Sequence, residues 1–279
     1  MKWVAIPLAT SLVLLLTGCT DLELRGYLPG TPGITNHTDR ITSLWVESWI
    51  VLLVVGVIAW GLMAWAMIVY RRRKGDTSLP VQLRYNMPIE TLFTVIPMIL
   101  VVWFFASTAR DMTAIEQPVN SEVKILAIGK QWSWDFNYVN QNTYETGIQS
   151  QFVGQKGSEE SLPTLYLPRG KTVEIDLTSR DVIHSFWVID WLYKKDMFPG
   201  HTNKMYFTPT KDGLYKGKCA ELCGEFHSMM LFNVKVVEPA EFESHIADLK
   251  ASGNNGQLGI DLNRESNLPG NKAPQENEG

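Results

Sequence analysis

Residues 219–230 read Cys-Ala-Glu-Leu-Cys-Gly-Glu-Phe-His-Ser-Met-Met, so two thiols, one imidazole and two thioethers lie close together in the chain. A second imidazole lies upstream at His184, in the segment Asp-Val-Ile-His-Ser that begins at Asp181. Sulfur ligands combined with imidazole are typical of copper sites, whereas sites rich in carboxylates suit harder ions. The stretch therefore predicts a copper site, and it requires a fold that brings His184 to the 219–230 loop.

The predicted ligands exceed what one copper ion needs. A mononuclear blue-copper site uses two histidines, one cysteine and a weak axial methionine, and this chain offers one thiolate more. Two thiolates on one tight loop can bridge two ions, each of which then needs one imidazole. Met230 can be the weak ligand of one ion, and the backbone carbonyl of Glu221 can serve the other. The predicted ligand set is His184, Cys219, Glu221, Cys223, His227 and Met230.

Other interpretations of these residues stay open at this point. Two cysteines in an exported protein often form a disulfide. A single histidine such as His184 is more often structural than a ligand, and a methionine such as Met229 or Met230 often fills a core. Zinc is less suitable than copper, because structural zinc sites rarely use a thioether.

The motif Cys-x-Glu-x-Cys-x-x-x-His-x-x-Met, with Asp-Val-Ile-His-Ser upstream, resembles the dinuclear copper (CuA) loop of cytochrome c oxidase subunit II. The similarity extends from about Trp45 to about Glu238. It implies two copper ions in this loop, and a magnesium ion bound by the side chain of Glu221 at the boundary with subunit I. The resemblance also implies that haem is bound only in subunit I. None of the three cysteines of this chain lies in a C-x-x-C-H pattern, so no c-type haem is expected on it.

The N-terminus is typical of an exported lipoprotein. Lys2 precedes a short apolar run that ends in Leu-Thr-Gly-Cys, which predicts a signal peptide over residues 1–18. The last four residues resemble a bacterial lipobox, so we expect cleavage before Cys19 and a lipid on its sulfur. An uncleaved anchor with an incidental cysteine is the alternative. Residues 19–43 contain Gly and Pro and predict an external linker.

Two apolar stretches predict a transmembrane hairpin over residues 44–110. The spans cover about 44–70 and 88–109, and each reaches the roughly 20 residues that a bilayer requires. The loop 71–87 opens with four basic residues, so it is cytoplasmic by the positive-inside rule, and both chain ends face outward. Glu90 lies near the cytoplasmic end of the second span. The family resemblance implies that it lies by the entrance of a proton path, and the alternative is that it snorkels to the interface.

Alternation and β-branched residues predict an external all-β domain over residues 111–239. The resemblance implies a cupredoxin-like Greek-key barrel for it. Residues 240–250 predict an amphipathic helix, and residues 252–279 a disordered tail. The predicted strands are 123–128, 131–138, 172–178, 185–189, 204–208, 213–218 and 231–237.

Alternation within 131–138 places Trp132, Trp134, Phe136 and Tyr138 on one face, which core packing explains. The resemblance nevertheless implies that Trp132 is the exposed residue through which electrons arrive. Acidic residues nearby could attract a basic cytochrome; they are Asp135, Asp181 and Asp190. His37, His201 and His245 match no motif and are expected to be structural or surface residues.

The resemblance implies an electron-accepting subunit of a bacterial oxidase in the cell membrane. Its expected partners are subunit I, the other oxidase subunits, membrane lipid, and a donor that is cytochrome c or a membrane-bound cytochrome such as that of a bc-type complex. The net charge of −4 does not suggest binding to nucleic acid. The alternatives are a quinol oxidase subunit II, which lacks the copper ligands, and a copper-delivery or thiol-redox protein of thioredoxin-like fold.

Overall fold

The computed structural model describes residues 20–75, 77, 79, 82–150 and 161–260. The chain divides into two compact units, Met1–Tyr27 with Arg40–Thr113 and Leu28–Asp39 with Ala114–Gly279. Three predicted features, the signal peptide 1–18, the lipid-bearing Cys19 and the tail 261–279, lie outside the described residues.

Among the described residues, two helices are long and apolar enough to cross a membrane, and most of each lies in the first unit. They are α2 (Thr38–Val69) and α3 (Met87–Glu116), and a short helix α1 (Asp21–Leu24) precedes them. Arg40 at the start of α2 forms an ion pair with Asp111 near the end of α3, with a nitrogen–oxygen distance of 3.0 Å. The helices therefore run antiparallel, as the hairpin prediction requires. Both extend beyond the predicted spans, because polar residues continue each helix past its apolar part.

The second unit is an all-β domain of two five-stranded sheets, followed by helix α4 (Pro239–Ala251). The first sheet has the order β3-β2-β1-β5-β8, and the second β4-β10-β9-β6-β7. Strands β1 and β5 pair in parallel, as do β10 and β4, while the other pairs are antiparallel. The strands in the described residues are β1 (Val123–Lys130), β2 (Ser133–Tyr138), β3 (Thr143–Thr146), β4 (Thr164–Pro168), β5 (Val173–Ser179), β6 (His184–Val188), β7 (Tyr193–Met197), β8 (Asn203–Phe207), β9 (Gly213–Cys219) and β10 (Leu231–Val237).

The predicted fold class is confirmed: two apolar helices precede a cupredoxin-like β-domain. All seven predicted strands are present; 231–237 has the predicted bounds, and the bounds of the others are shifted by one or two residues. Three strands were not predicted, namely β3, β4 and β7. Each lies at the edge of its sheet, and strands β3 and β7 are short and partly exposed. Edge strands carry a weak alternation because water reaches them on several sides.

The core between the two sheets is aromatic. Trp134 of β2 lies with its ring centroid 4.8 Å from that of Phe232 on β10 and 5.9 Å from that of Phe186 on β6. The Phe186 and Phe232 rings stack at 4.7 Å. All three side chains are fully buried. These contacts join the sheet that carries β2 to the sheet that carries β6, β9 and β10.

The polar residues of β2 depart from the predicted alternation, because both faces of this strand are buried. Asp135 is buried in an ion pair with Lys130, at 2.7 Å. The side chain of Asn137 donates to the carbonyl oxygen of Leu258 at 2.8 Å and accepts from its N–H at 2.9 Å. The expectation of disorder is therefore wrong for residues 252–260, which pack on the outer face of this sheet, where Asn254 also contacts Thr143.

The predicted linker also contributes to the β-domain. Ile34 is 2 % exposed and belongs to the hydrophobic core. Asn36 donates its backbone N–H to the carbonyl of Thr208 at 3.2 Å, and its side chain accepts from the N–H of Thr208 at 2.8 Å. Residues 34–36 are thus fixed to the chain beyond the end of β8 rather than free in solvent.

We expect Gly217→Ala to destabilise the β-domain. Gly217 of β9 lies opposite Phe232 in the β9–β10 pair, and a Cβ atom there would lie 2.2 Å from two atoms of the Phe232 ring. The ring cannot yield, because Trp134 and Phe186 pack against it, and overpacking of this kind costs about 1–3 kcal/mol. Thermal unfolding of the detergent-solubilised chain, followed by near-ultraviolet circular dichroism, measures the effect. Gly56→Ala in α2, where a Cβ meets no atom within 4 Å, is the control; equal melting temperatures for the two variants would contradict the packing argument.

Candidate metal centre

Strand pairing brings the two parts of the predicted site together. His184 is the first residue of β6, and Cys219 is the last of β9. These strands pair antiparallel, with Phe186 opposite Cys219. The loop 220–230 then returns to β10, and the N–H of Cys219 donates to the carbonyl of Met230 at 3.0 Å, which closes the loop at its base. His184 therefore lies beside a loop that carries the other predicted ligands.

All six predicted ligands converge on the two thiols. The Sγ atoms of Cys219 and Cys223 lie 3.9 Å apart. On one side of the pair, Cys219 Sγ lies 3.8 Å from His184 Nδ1 and 3.2 Å from the carbonyl oxygen of Glu221. On the other side, Cys223 Sγ lies 3.5 Å from His227 Nδ1 and 3.8 Å from Met230 Sδ. Each sulfur thus has its own imidazole and its own weak donor, in the pairing expected for two ions.

The two cysteines are free thiols, so the disulfide interpretation does not describe this structure. A disulfide would bring the sulfur atoms to about 2.05 Å, well under the observed separation. The thiols are also electrostatically coupled. The hydrogen bond from Cys223 lowers the pKa of the Cys219 thiol, and the same shared proton together with burial raises the pKa of Cys223. The pair therefore favours one thiolate, which is the form that binds metal.

Asp181 holds the imidazole of His184. Its Oδ1 lies 2.8 Å from His184 Nε2, and its other oxygen accepts the backbone N–H of Gln131 at 2.6 Å. A proton kept on Nε2 by this carboxylate leaves Nδ1 free to act as a ligand. Burial opposes charge on both partners. Their hydrogen bonds outweigh it, so the pKa of Asp181 lies below its ordinary value and the pKa of His184 above.

The ring of His184 is also fixed by packing. It is fully buried, and a Cβ atom at Gly129 would lie 2.9 Å from its Cδ2 atom. Only glycine therefore allows strand β1 to approach the ring so closely. A ligand held on one side by a carboxylate and on the other by a strand has little freedom to rotate.

Trp132 contacts the metal loop directly. Trp132 immediately precedes β2 and is half-buried. Its Nε1 lies 3.3 Å from the carbonyl oxygen of Cys223. The side chain of Gln131 donates to the same oxygen at 2.7 Å. The Trp132 ring also packs edge-to-face against Phe226, with centroids 5.0 Å apart. The partly exposed Trp132 is thus joined by one hydrogen bond to the backbone of the predicted ligand Cys223.

The sequence of this chain is similar to those of known proteins. Residues 123–237 match the family described as cytochrome C oxidase subunit II, periplasmic domain. The chain is 42 % identical to a probable cytochrome c oxidase subunit 2 of Streptomyces avermitilis over 90 % of both chains. This chain belongs to the cytochrome c oxidase subunit 2 family. Another relative, the cytochrome c oxidase subunit 2 of Mycobacterium tuberculosis, is 32 % identical over 85 % of this chain and 78 % of its own.

A solved structure of the same family is also similar. The crystal structure of the periplasmic domain of subunit II of cytochrome oxidase from Bradyrhizobium japonicum is 29 % identical, with a TM-score of 0.44, and covers 49 % of this chain and 99 % of its own. As a family member with two membrane helices and a periplasmic-type domain, the chain is a subunit of a membrane oxidase complex that includes subunit I.

The expected acidic docking surface for a cytochrome is wrong at two of its three positions. Asp135 is 1 % exposed, and it pairs with Lys130 and, at 3.5 Å, with Arg180. The side chain of Asp181 is fully buried against His184. Asp190 alone of the three reaches solvent. Sequence reasoning missed the role of Asp181, because nothing in the motif shows the turn that aims its carboxylate at the imidazole three residues later.

The other predicted functional residues lie outside this cluster. The side chain of Glu90, in the first turn of α3, accepts the backbone N–H of Asn86 at 2.8 Å. The side chain of Glu221 is exposed, although its carbonyl faces Cys219. His37 contacts the carbonyl of Tyr206 at 2.9 Å, and His245 stacks on Tyr166 with centroids 3.6 Å apart. These two histidines are structural and His201 is exposed, as expected.

The donor set fits copper. His184, Cys219 and Cys223 place their ligand atoms within 4.8 Å of one another in a buried site. Two thiols, two imidazoles, a thioether and a carbonyl oxygen are the donors that copper prefers, and the carboxylates that hard ions require are absent from the described cluster.

We expect Asp181→Asn to weaken metal binding about 10–100-fold, the usual effect of losing a carboxylate partner of a ligating histidine. The asparagine amide can present its N–H₂ to Nε2, which favours the wrong tautomer of His184. Copper affinity, measured by competition with a chelator of known affinity, tests this. Asp190→Asn is the matched control, because Asp190 makes no contact with a predicted ligand in the described structure; an affinity for Asp181→Asn equal to that of this control would contradict the positioning role.

Proposed function

We propose that this chain accepts electrons from a cytochrome c donor at a dinuclear copper (CuA) centre and passes them to haem in subunit I. There oxygen is reduced to water while protons are pumped. The observation that carries the proposal is the symmetric surrounding of the Cys219–Cys223 pair, in which each sulfur has one imidazole and one weak donor.

The ligand residues would hold copper in a frame that is already formed. His184 and Cys219 come from paired strands, and the hydrogen bond from Cys219 to Met230 closes the loop. Two copper ions held by these residues would supply one-electron redox chemistry at this position. The protein supplies rigidity, since little ligand rearrangement is needed between oxidation states when the donors are fixed by the fold.

Trp132 is the proposed point at which electrons arrive. Its partial exposure allows a donor to touch the ring, and its hydrogen bond to the Cys223 carbonyl gives a short path of bonded atoms to a ligand. Phe226 supports the ring edge-to-face. Donor recognition would then depend on the surface around this ring rather than on Asp135 and Asp181, which are buried.

Three further roles are proposed for residues outside the copper site. Glu90, at the start of α3 that follows the basic loop, would stand by the entrance of a proton path in subunit I. The exposed carboxylate of Glu221 suits a magnesium ion at the boundary with subunit I, because Mg²⁺ prefers oxygen ligands. Cys19 would carry a lipid on the outer face of a bacterial membrane, with both chain ends and the copper domain on that face.

The two alternative functions fit the structure less well. A quinol oxidase subunit II lacks the copper ligands, whereas all six converge here. A copper-delivery or thiol-redox protein of thioredoxin-like fold requires a sheet flanked by helices in βαβ order, whereas the thiols of this chain lie on a loop between two antiparallel strands.

Metal content tests the copper assignment. We expect the purified chain, reconstituted with copper, to bind two ions per chain and to show the optical and paramagnetic spectrum of one electron shared over both. Cys223→Ser should bind at most one ion and lose the shared-electron spectrum, because a hydroxyl is a poor bridging ligand for copper.

The two methionines provide a matched control for this measurement. Met230 is fully buried with its sulfur 3.8 Å from Cys223, whereas the neighbouring Met229 is only half-buried. Met230→Leu should shift the copper spectrum and Met229→Leu should leave it unchanged. A wild-type chain that binds a single copper, or none, would sink the proposal in favour of the alternatives.

Trp132→Phe should slow electron transfer from reduced cytochrome c by roughly tenfold or more, since transfer depends on close, oriented contact between the partners. The substitution keeps an aromatic ring but removes the hydrogen bond to the Cys223 carbonyl. Stopped-flow oxidation of cytochrome c by the intact oxidase measures the rate, with copper content checked in parallel. Trp187→Phe, on β6, is the control; a rate unchanged in the Trp132 variant and equal to that control would exclude this path.

A further inference from the structure

A groove of about 450 Å³ lies between the first described residues and the beginning of α2. One wall is formed by Leu24, the last residue of α1, and by Tyr27, three residues beyond it. The other is formed by Trp49, Ile50 and Leu53 on one face of α2. Its volume lies in the range of ligand pockets in proteins, and its walls are almost wholly apolar. The groove therefore suits a hydrocarbon rather than a polar molecule.

The wall that faces α2 is a fixed structure. Thr20 and Glu23 form a reciprocal capping box at the start of α1. At its end the N–H of Tyr27 donates to the carbonyl of Leu22 at 2.9 Å. The indole of Trp45 then donates to the carbonyl of Gly26 at 3.0 Å. Gly26 has a φ of +64°, and a Cβ atom there would lie 2.6 Å from the Trp45 nitrogen, so glycine is required for this approach.

The groove lies close in sequence to a residue that is expected to carry a hydrocarbon chain. The described residues begin at Thr20, whose predecessor Cys19 is the residue expected to carry a lipid. The two membrane helices already attach the chain to the membrane far more strongly than an acyl chain would. A lipid on Cys19 therefore adds little as an anchor, and its contribution must lie elsewhere.

We propose that an acyl chain carried by Cys19 occupies this groove and packs between residues 23–27 and α2. Within a bilayer a free lipid tail gains little by entering an apolar groove, because its surroundings are equally apolar. A chain attached at Cys19, four residues before the first groove-lining residue Glu23, has a high effective concentration there and excludes free lipid. The inference rests on the proposed lipidation of Cys19.

Photo-crosslinking of the intact oxidase tests the inference. Cells are fed a fatty acid with a mid-chain diazirine and a terminal alkyne, and the purified complex is irradiated and digested with trypsin. Cleavage after Arg25, Arg40 and Arg71 releases peptides 19–25 and 41–71. We expect a species in which peptide 19–25 is joined through its own lipid to peptide 41–71, with the crosslink located within residues 46–53. A crosslink to free phospholipid lacks peptide 19–25 and is therefore distinguished by mass.

Two substitutions of equal exposure provide the control. Ile50 and Ile58 both lie on α2 and are both 57 % exposed, but only Ile50 lines the groove. Ile50→Trp should fill the groove and abolish the crosslink within 46–53, whereas Ile58→Trp should retain it. The lipid itself, read from the mass of peptide 19–25, should be unchanged in both variants.

Three outcomes would overturn the inference. One is a lipid-bearing peptide 19–25 with no crosslink to 41–71, and another is a crosslink spread evenly along 41–71 or made only with free phospholipid. The third is a peptide 19–25 without lipid, which also removes the proposed anchor. Copper content and cytochrome c oxidation by the same preparation report separately on the proposed function.

Discussion

The pairing of β6 with β9 is the interaction on which the metal centre depends. Phe186 lies opposite Cys219, and His184 lies two residues before Phe186 on β6. The side chains of His184 and Cys219 therefore meet on the same side of the sheet. A slip of one residue would turn one of them to the opposite face. The register is held by the aromatic core, where Phe186 stacks on Phe232 and both pack on Trp134. Packing between the two sheets therefore sets the positions of His184 and Cys219 at the ends of β6 and β9.

The part of the site that could be predicted from sequence is the part that is local. Ligands within 219–230 share one loop, so their chemical types and spacing alone predict a soft-metal site. His184 required the family resemblance, because its approach to Cys219 depends on strand pairing across 35 residues. Asp181 could not be assigned its role at all. An acidic residue in a loop is usually solvated, and only the folded turn shows that this one is buried against an imidazole.

The same limit applies to the fold. Strands with strong alternation were predicted, whereas the edge strands β3, β4 and β7, and the docking of residues 34–36 and 252–260, depend on partners distant in the chain. Asp135 illustrates the physical reason. Alternation with aromatic residues placed it on a solvent face, but Lys130 and Arg180 cover that face. Charges buried in this way are tolerated only because they are paired, and removing one partner of such a pair is strongly destabilising.

The coupled protonation of Cys219 and Cys223 bears on how this site binds a metal. Two thiolates 3.9 Å apart would repel each other in a buried site, and the proton shared between them lowers the pKa of Cys219 and raises the pKa of Cys223. His184 contributes to the lowered pKa of Cys219. Burial opposes charge on His184 itself, and the hydrogen bond to Asp181 outweighs burial and raises its pKa. Metal ligands must be deprotonated, so a soft cation that binds here releases the proton that the two thiols share. The carboxylate of Asp181 therefore acts on the site in two ways: it raises the pKa of His184, which lies against the Cys219 sulfur, and it fixes the orientation of that imidazole. Because strand pairing and this carboxylate position the side chains, the fold itself sets the geometry that a metal would meet.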